Sequence, residues 1–172
     1  MRLSYLVRGF PGHPLHPPLT GATIGAYTVS AALGVLAAFG VDEPNLTKGW
    51  WLALIVGLIV SAPTALTGLA DWLSITWRSP LWWTATWHML SMLGATACFA
   101  LAAIFGHDRY IAGGMGSWTL AATLLGFALL TLGAWLGGTI VFVHGMRVLN
   151  LVEEPPKRAV TPGHPEKEQA DA

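Results

Sequence analysis

Four long stretches of this chain contain no Asp, Glu, Lys or Arg: residues 11–41, 49–70, 79–106 and 110–146. A helix crosses the hydrocarbon core of a bilayer with about 20 apolar residues, and each stretch can supply them. Inside that core the backbone must satisfy its own hydrogen bonds, so four such stretches predict four spanning helices. The expected fold class is all-α, an integral membrane four-helix bundle. Charged residues make up only 10% of the chain, against roughly a quarter in soluble proteins.

Three segments follow from the same pattern. Residues 1–18 form an N-terminal segment with a His-Pro motif, residues 19–150 the four-span domain, and residues 151–172 a polar, Pro-containing tail expected to be disordered. Nine basic and nine acidic residues cancel, which leaves no surface suited to nucleic acid. The single Cys98 excludes an intramolecular disulfide. The run between Arg2 and Arg8 is too short to serve as a cleavable signal.

An even number of spans puts both chain ends on one side. That side collects Arg2, Arg8, Arg78, Arg147, Lys157, Arg158 and Lys167, and the other only Lys48 and Arg109. Excess Lys and Arg beside span ends marks the cytoplasm, so both termini are expected to face inward.

The spans are expected at about 19–40, 50–70, 79–105 and 117–143. Ser79 suits an N-cap and Pro80 the first helical position. Pro63 should kink the second span, with Ser61 and Thr64 nearby to satisfy the freed backbone. Trp50, Trp51 and Trp118 are expected at the outer headgroup level, and Trp72, Trp77, Trp82 and Trp83 at the inner one. Gly133, Gly137 and Gly138 offer a small face for close helix contact.

Candidate chemistry lies in His13, His16, Asp71, Arg78, His88 and His144, which all four helices bring toward the inner level. His88 falls roughly 10 Å below that surface by helical rise. An ionisable residue at such depth is by default a functional-site hypothesis. The others also have ordinary roles: an Asp71–Arg78 ion pair, a C-terminal helix cap for His144, a stiff entry turn for His13 to Pro18. The sharper expectation is a cofactor site. A b-type haem would take His88 and His144 as ligands, with Arg78 or Arg147 near its propionates. A compact transition-metal site would recruit His13, His16, His88, His144 and Asp71.

Several ordered signatures, Gly12-His13-Pro14-Leu15-His16-Pro17 with Ile24-Gly25, Thr67-Gly68-Leu69-Ala70-Asp71-Trp72, His88, Trp135-Leu136-Gly137-Gly138 and Val143-His144-Gly145 with Val148, carry a resemblance. Together they resemble the bacterial membrane family catalogued as domain of unknown function 2231, over about residues 9–150. The resemblance implies a four-helix domain in the bacterial inner membrane, sometimes beside redox modules such as Rieske-type iron–sulfur domains. It implies no assigned activity, substrate or catalytic residue. The chain departs from the family pattern at Thr139, where an acidic residue is usual, at Met92, where Asn is expected, and at Thr20-Gly21-Ala22-Thr23, where an apolar-Pro stretch is usual.

The preferred expectation is thus a membrane subunit that binds haem or a metal and passes electrons to a redox protein or membrane-complex partner, rather than an enzyme on its own. The alternatives are a small transporter or proton relay through His88, His144 and Asp71, and a structural subunit of a larger complex. The two halves show no inverted repeat of the kind secondary transporters often carry.

Overall fold

A computed structural model describes residues 4–149 and 152–161. A short helix α1 (Ser4–Arg8) leads into a tight hairpin of β1 (Gly9–Phe10) and β2 (His13–Pro14), antiparallel with Phe10 opposite His13. Gly9 has φ +76, and any Cβ there would collide with the carbonyl of His13. This left-handed turn brings the chain back toward Arg8 before the first long helix begins.

Four long helices follow: α2 (His16–Ala38), α3 (Glu43–Trp72), α4 (Pro80–Phe105) and α6 (Ser117–Phe142), with a short α5 (His107–Ala112) before the last. All four are long and apolar enough to cross a membrane. A single turn, α7 (Pro156–Ala159), lies in the tail, and the disorder expected for 162–172 falls outside the described residues. Ile59, Leu66, Ile104, Leu125, Trp135 and Phe142 point outward, and Tyr27, Trp50, Leu54, Ala95, Phe99 and Leu130 fill the centre. Both surface and core are apolar, as expected of a bundle solvated by lipid tails.

The ends of the helices follow local chemistry. Ser79 caps α4, its Oγ accepting from the Trp82 amide at 3.1 Å, as the sequence predicts. The second span starts about two turns earlier than expected, because Glu43 and Pro44 open the helix and do not form a loop. Trp50 therefore sits inside the bundle, fully buried, with Nε1 donating to Thr123 Oγ1 at 3.0 Å. It is a core residue and not a headgroup anchor. Helix α3 runs unbroken past Pro63, while Ser61 and Thr64 donate to the carbonyls of Gly57 and Val60.

Helix α2 packs along α3, and α4 along α6; the two hairpins then meet through α2 against α6 and α3 against α4. This arrangement is an internal duplication. His16 and His88, Tyr27 and Phe99, and Gly34 and Gly106 recur at one constant spacing in α2 and in α4 with its C-cap. Gly57 and Gly126, Thr64 and Gly133, and Gly68 and Gly137 recur at a second constant spacing in α3 and α6. The contacts recur too: Tyr27 covers Gly57 as Phe99 covers Gly126, and the two rings stack on each other at 4.0 Å. Because α2 and α4 run in the same direction, the repeat is parallel, with its approximate two-fold axis along the bundle.

Candidate functional site

Below the Tyr27–Phe99 stack, the same axis passes between two imidazoles. His16 opens α2 and His88 lies two turns into α4; their ring centroids are 6.3 Å apart with planes at 85°. His16 Nδ1 lies 3.0 Å from the Thr64 carbonyl, and His88 Nδ1 lies 2.8 Å from the Gly133 carbonyl. A carbonyl can only accept, so each Nδ1 carries the hydrogen and each Nε2 keeps a lone pair. The Thr20 hydroxyl comes within 3.4 Å of His16 Nε2, but its hydrogen is given to the His16 carbonyl at 2.9 Å.

Space for each ring is made by a glycine on the partner helix. A Cβ on Gly68 would lie 2.6 Å from His16 Cε1, and one on Gly137 would lie 3.1 Å from His88 Cε1. Gly133 in turn lies against Ser91 and Met92. The small face expected of α6 is therefore real at Gly133 and Gly137; Gly138 faces its own Phe142.

Toward the chain ends, Asp71 follows Gly68 on α3 by about one turn. It is buried, and both Arg8 Nε (3.1 Å) and Arg147 Nη2 (2.5 Å) bind its Oδ1. Arg8 also donates to Ser74 Oγ at 2.7 Å. The expected Asp71–Arg78 pair is not formed, and the repeat explains why. Arg78 and Arg147 occupy equivalent turns after α3 and α6, both left-handed, with φ 61 and φ 63. The residue equivalent to Asp71 in the second hairpin is Ile140, so Arg78 has no carboxylate facing it and stays exposed.

The candidate histidines therefore separate. His16 stands beside His88, where the sequence expectation set His144. His144 is exposed and meets Thr84 Oγ1 through Nε2 at 3.1 Å. His13 lies in the β-hairpin, its Nδ1 buried without a hydrogen-bond partner among the described residues. Among those residues no group of three or more His, Cys, Asp or Glu is placed to hold a metal ion, so the five-residue set of His13, His16, His88, His144 and Asp71 does not converge. The sequence reading missed Arg8 as the partner of Asp71. The recurrence of His and Gly at constant spacing was the available signal for pairing His16 with His88.

The model of the family described as predicted membrane protein, domain of unknown function 2231, matches residues 12–150. The chain belongs to this family. The match spans both hairpins, the His16–His88 pair, Asp71 and Arg147, while Arg8 lies before it. No curated protein and no solved structure matches the chain.

Proposed function

We propose that this membrane protein is a haem-binding electron-transfer subunit in which His16 and His88 would hold the haem iron. The supporting observation is the neighbouring pair of imidazoles, each locked by a backbone carbonyl so that its Nε2 lone pair stays free. Ligating histidines almost always donate their other ring N–H in this way, which fixes tautomer and ring orientation.

The donor count favours haem over a bare metal ion. A closed site for a bare ion needs four donors, and the described residues offer no third His, Cys, Asp or Glu near the pair. A porphyrin brings four nitrogens of its own and asks the protein for only two. When bound, haem would supply a one-electron couple within the low-dielectric bundle. The chain's part is to hold both rings through the Thr64 and Gly133 carbonyls, and to keep Gly68 and Gly137 clear of them. The Lys and Arg distribution supports placing this end of the bundle at the cytoplasmic side, where a soluble redox partner or larger membrane complex would meet it.

The test is the absorption spectrum of full-length protein, expressed with a haem precursor supplied and purified in mild detergent. A Soret band with stoichiometric iron is expected. Iron-free protein without that band overturns the proposal, and proton flux in liposomes from the same preparation would select the transporter reading.

A further inference from the structure

The Asp71 end carries a cavity of about 480 Å³ between the α3–α4 turn and the segment after α6. Arg8, Arg147 and Ser79 line it together with the apolar side chains of Ile75, Leu81 and Met146. Its charge is not balanced: one carboxylate, Asp71, faces two guanidinium groups, and both use the same Oδ1. Arg147 Nε is buried and has no hydrogen-bond partner among the described residues.

The duplication supplies a control within the molecule. In the second hairpin Ile140 stands where Asp71 stands in the first. That position is packed with an apolar side chain, so the helix pairing does not require a carboxylate there. Trp77 and Trp83 are exposed at this end, as expected of indoles at headgroup level.

We propose that this cavity binds the phosphate group of an anionic phospholipid. The guanidinium forks of Arg8 and Arg147 would clamp the phosphate oxygens, and the Ile75–Leu81–Met146 wall would take the start of the acyl region. Guanidinium suits phosphate because several fixed donors can meet its oxygens at once. The apolar wall points to an amphiphile and away from a free anion.

The test uses full-length protein in dodecyl maltoside, titrated with phosphatidylglycerol, phosphatidylcholine or inorganic phosphate and followed by native mass spectrometry and thermal unfolding. Phosphatidylglycerol should be retained about fivefold over phosphatidylcholine, the factor that one uncompensated charge near a headgroup layer supplies. Arg147→Gln and Arg8→Gln should reduce that ratio to near one. Arg78→Gln, at the equivalent turn, should leave it unchanged. Equal retention of the two lipids by the unmodified protein would overturn the proposal, and that comparison needs no variant to fold. So would an equal loss in Arg78→Gln, or stabilisation by inorganic phosphate matching that by the lipid. None of these readouts uses the His16–His88 pair, so the lipid site stands or falls apart from the haem reading.

Discussion

The α2–α3 and α4–α6 hairpins perform the same packing with largely different residues. Tyr27 answers to Phe99, Ser61 to Leu130, Thr64 to Gly133 and Asp71 to Ile140. Among the few identities kept in both are a histidine, His16 and His88, and the glycine that receives its ring, Gly68 and Gly137. Packing alone tolerates exchange of a hydroxyl for a leucine or of a threonine for a glycine. A polar ring deep in a membrane bundle is costly to retain, and here it is retained twice, the two rings side by side at 6.3 Å. What the hairpins share therefore points to a function at the axis. What they do not share, Arg8 and Asp71, points to a second function at one end.

The largest expected effect breaks this symmetry at the shared pair. His16→Ala and His88→Ala should each abolish the Soret band, since neither ring alone completes a bis-imidazole site. His144→Ala, which removes only the exposed contact to Thr84, should leave the band in place. A spectrum that survives either axial substitution and fails with His144→Ala would return the site to the His88–His144 pairing expected from sequence.

Next in size is the unshared cluster. Asp71→Ile gives α3 the residue that α6 already has, but leaves two guanidinium groups without their carboxylate. Losing one partner of a buried ion pair costs about 3–5 kcal/mol, and the partial exposure of both arginines, 33% and 23%, should bring this to about 1–3 kcal/mol. Adding Arg8→Gln and Arg147→Gln to Asp71→Ile should recover much of the loss in thermal unfolding. If the triple variant is no more stable than the single one, Asp71 contributes by something other than pairing.

The bundle itself was readable from the charge-free stretches, because hydrocarbon thickness and backbone hydrogen bonding allow few other solutions. The cap at Ser79 was readable for the same reason: its chemistry is local. What escaped the sequence reading was lateral. Trp50 looked like an interface residue from its place near the start of an apolar run, yet Glu43 and Pro44 had already begun the helix and carried it into the core. Arg78 looked like the partner of Asp71 because it is near in sequence; the structure uses the equivalent turn of the other hairpin and brings Arg147 instead. The first error misjudges where a helix begins; the second judges proximity along the chain, where a parallel repeat decides proximity across it.

The glycines sharpen the comparison at smaller scale. Gly68 leaves less room than Gly137, so Gly68→Ala should disturb its histidine more than Gly137→Ala. The same order holds higher in the bundle, where a Cβ on Gly57 meets Tyr27 more closely than one on Gly126, 3.0 Å from Phe99. Overpacking of this kind costs about 1–3 kcal/mol, and the first hairpin should show the upper part of that range in detergent unfolding. Equal losses at Gly57 and Gly126 would mean that the hairpins yield equally and that their difference is confined to the charged end.

The smallest expected readout, a single coupling energy, concerns one of the polar links between hairpins on the Trp50 side. Trp51 Nε1 also donates there to the Ala103 carbonyl at 2.8 Å, and the Met115 amide to Glu43 Oε1 at 3.0 Å. Trp50 Nε1 donates to Thr123 Oγ1 at 3.0 Å, and that hydroxyl passes its own hydrogen to the Thr119 carbonyl at 2.7 Å. In the first hairpin the residue equivalent to Thr123 is Leu54, fully buried and without polar function. Thr123→Val removes the acceptor while keeping the volume, and leaves the buried indole N–H unpaired, which should cost about 1–3 kcal/mol. Trp50→Phe with Thr123→Val removes both partners, so the loss left over measures the volume of the indole alone. A double-mutant cycle across Trp50 and Thr123 should therefore give a coupling of about 1 kcal/mol. A coupling near zero would show that this hydrogen bond adds nothing to the packing of the two repeats at the end opposite the histidines.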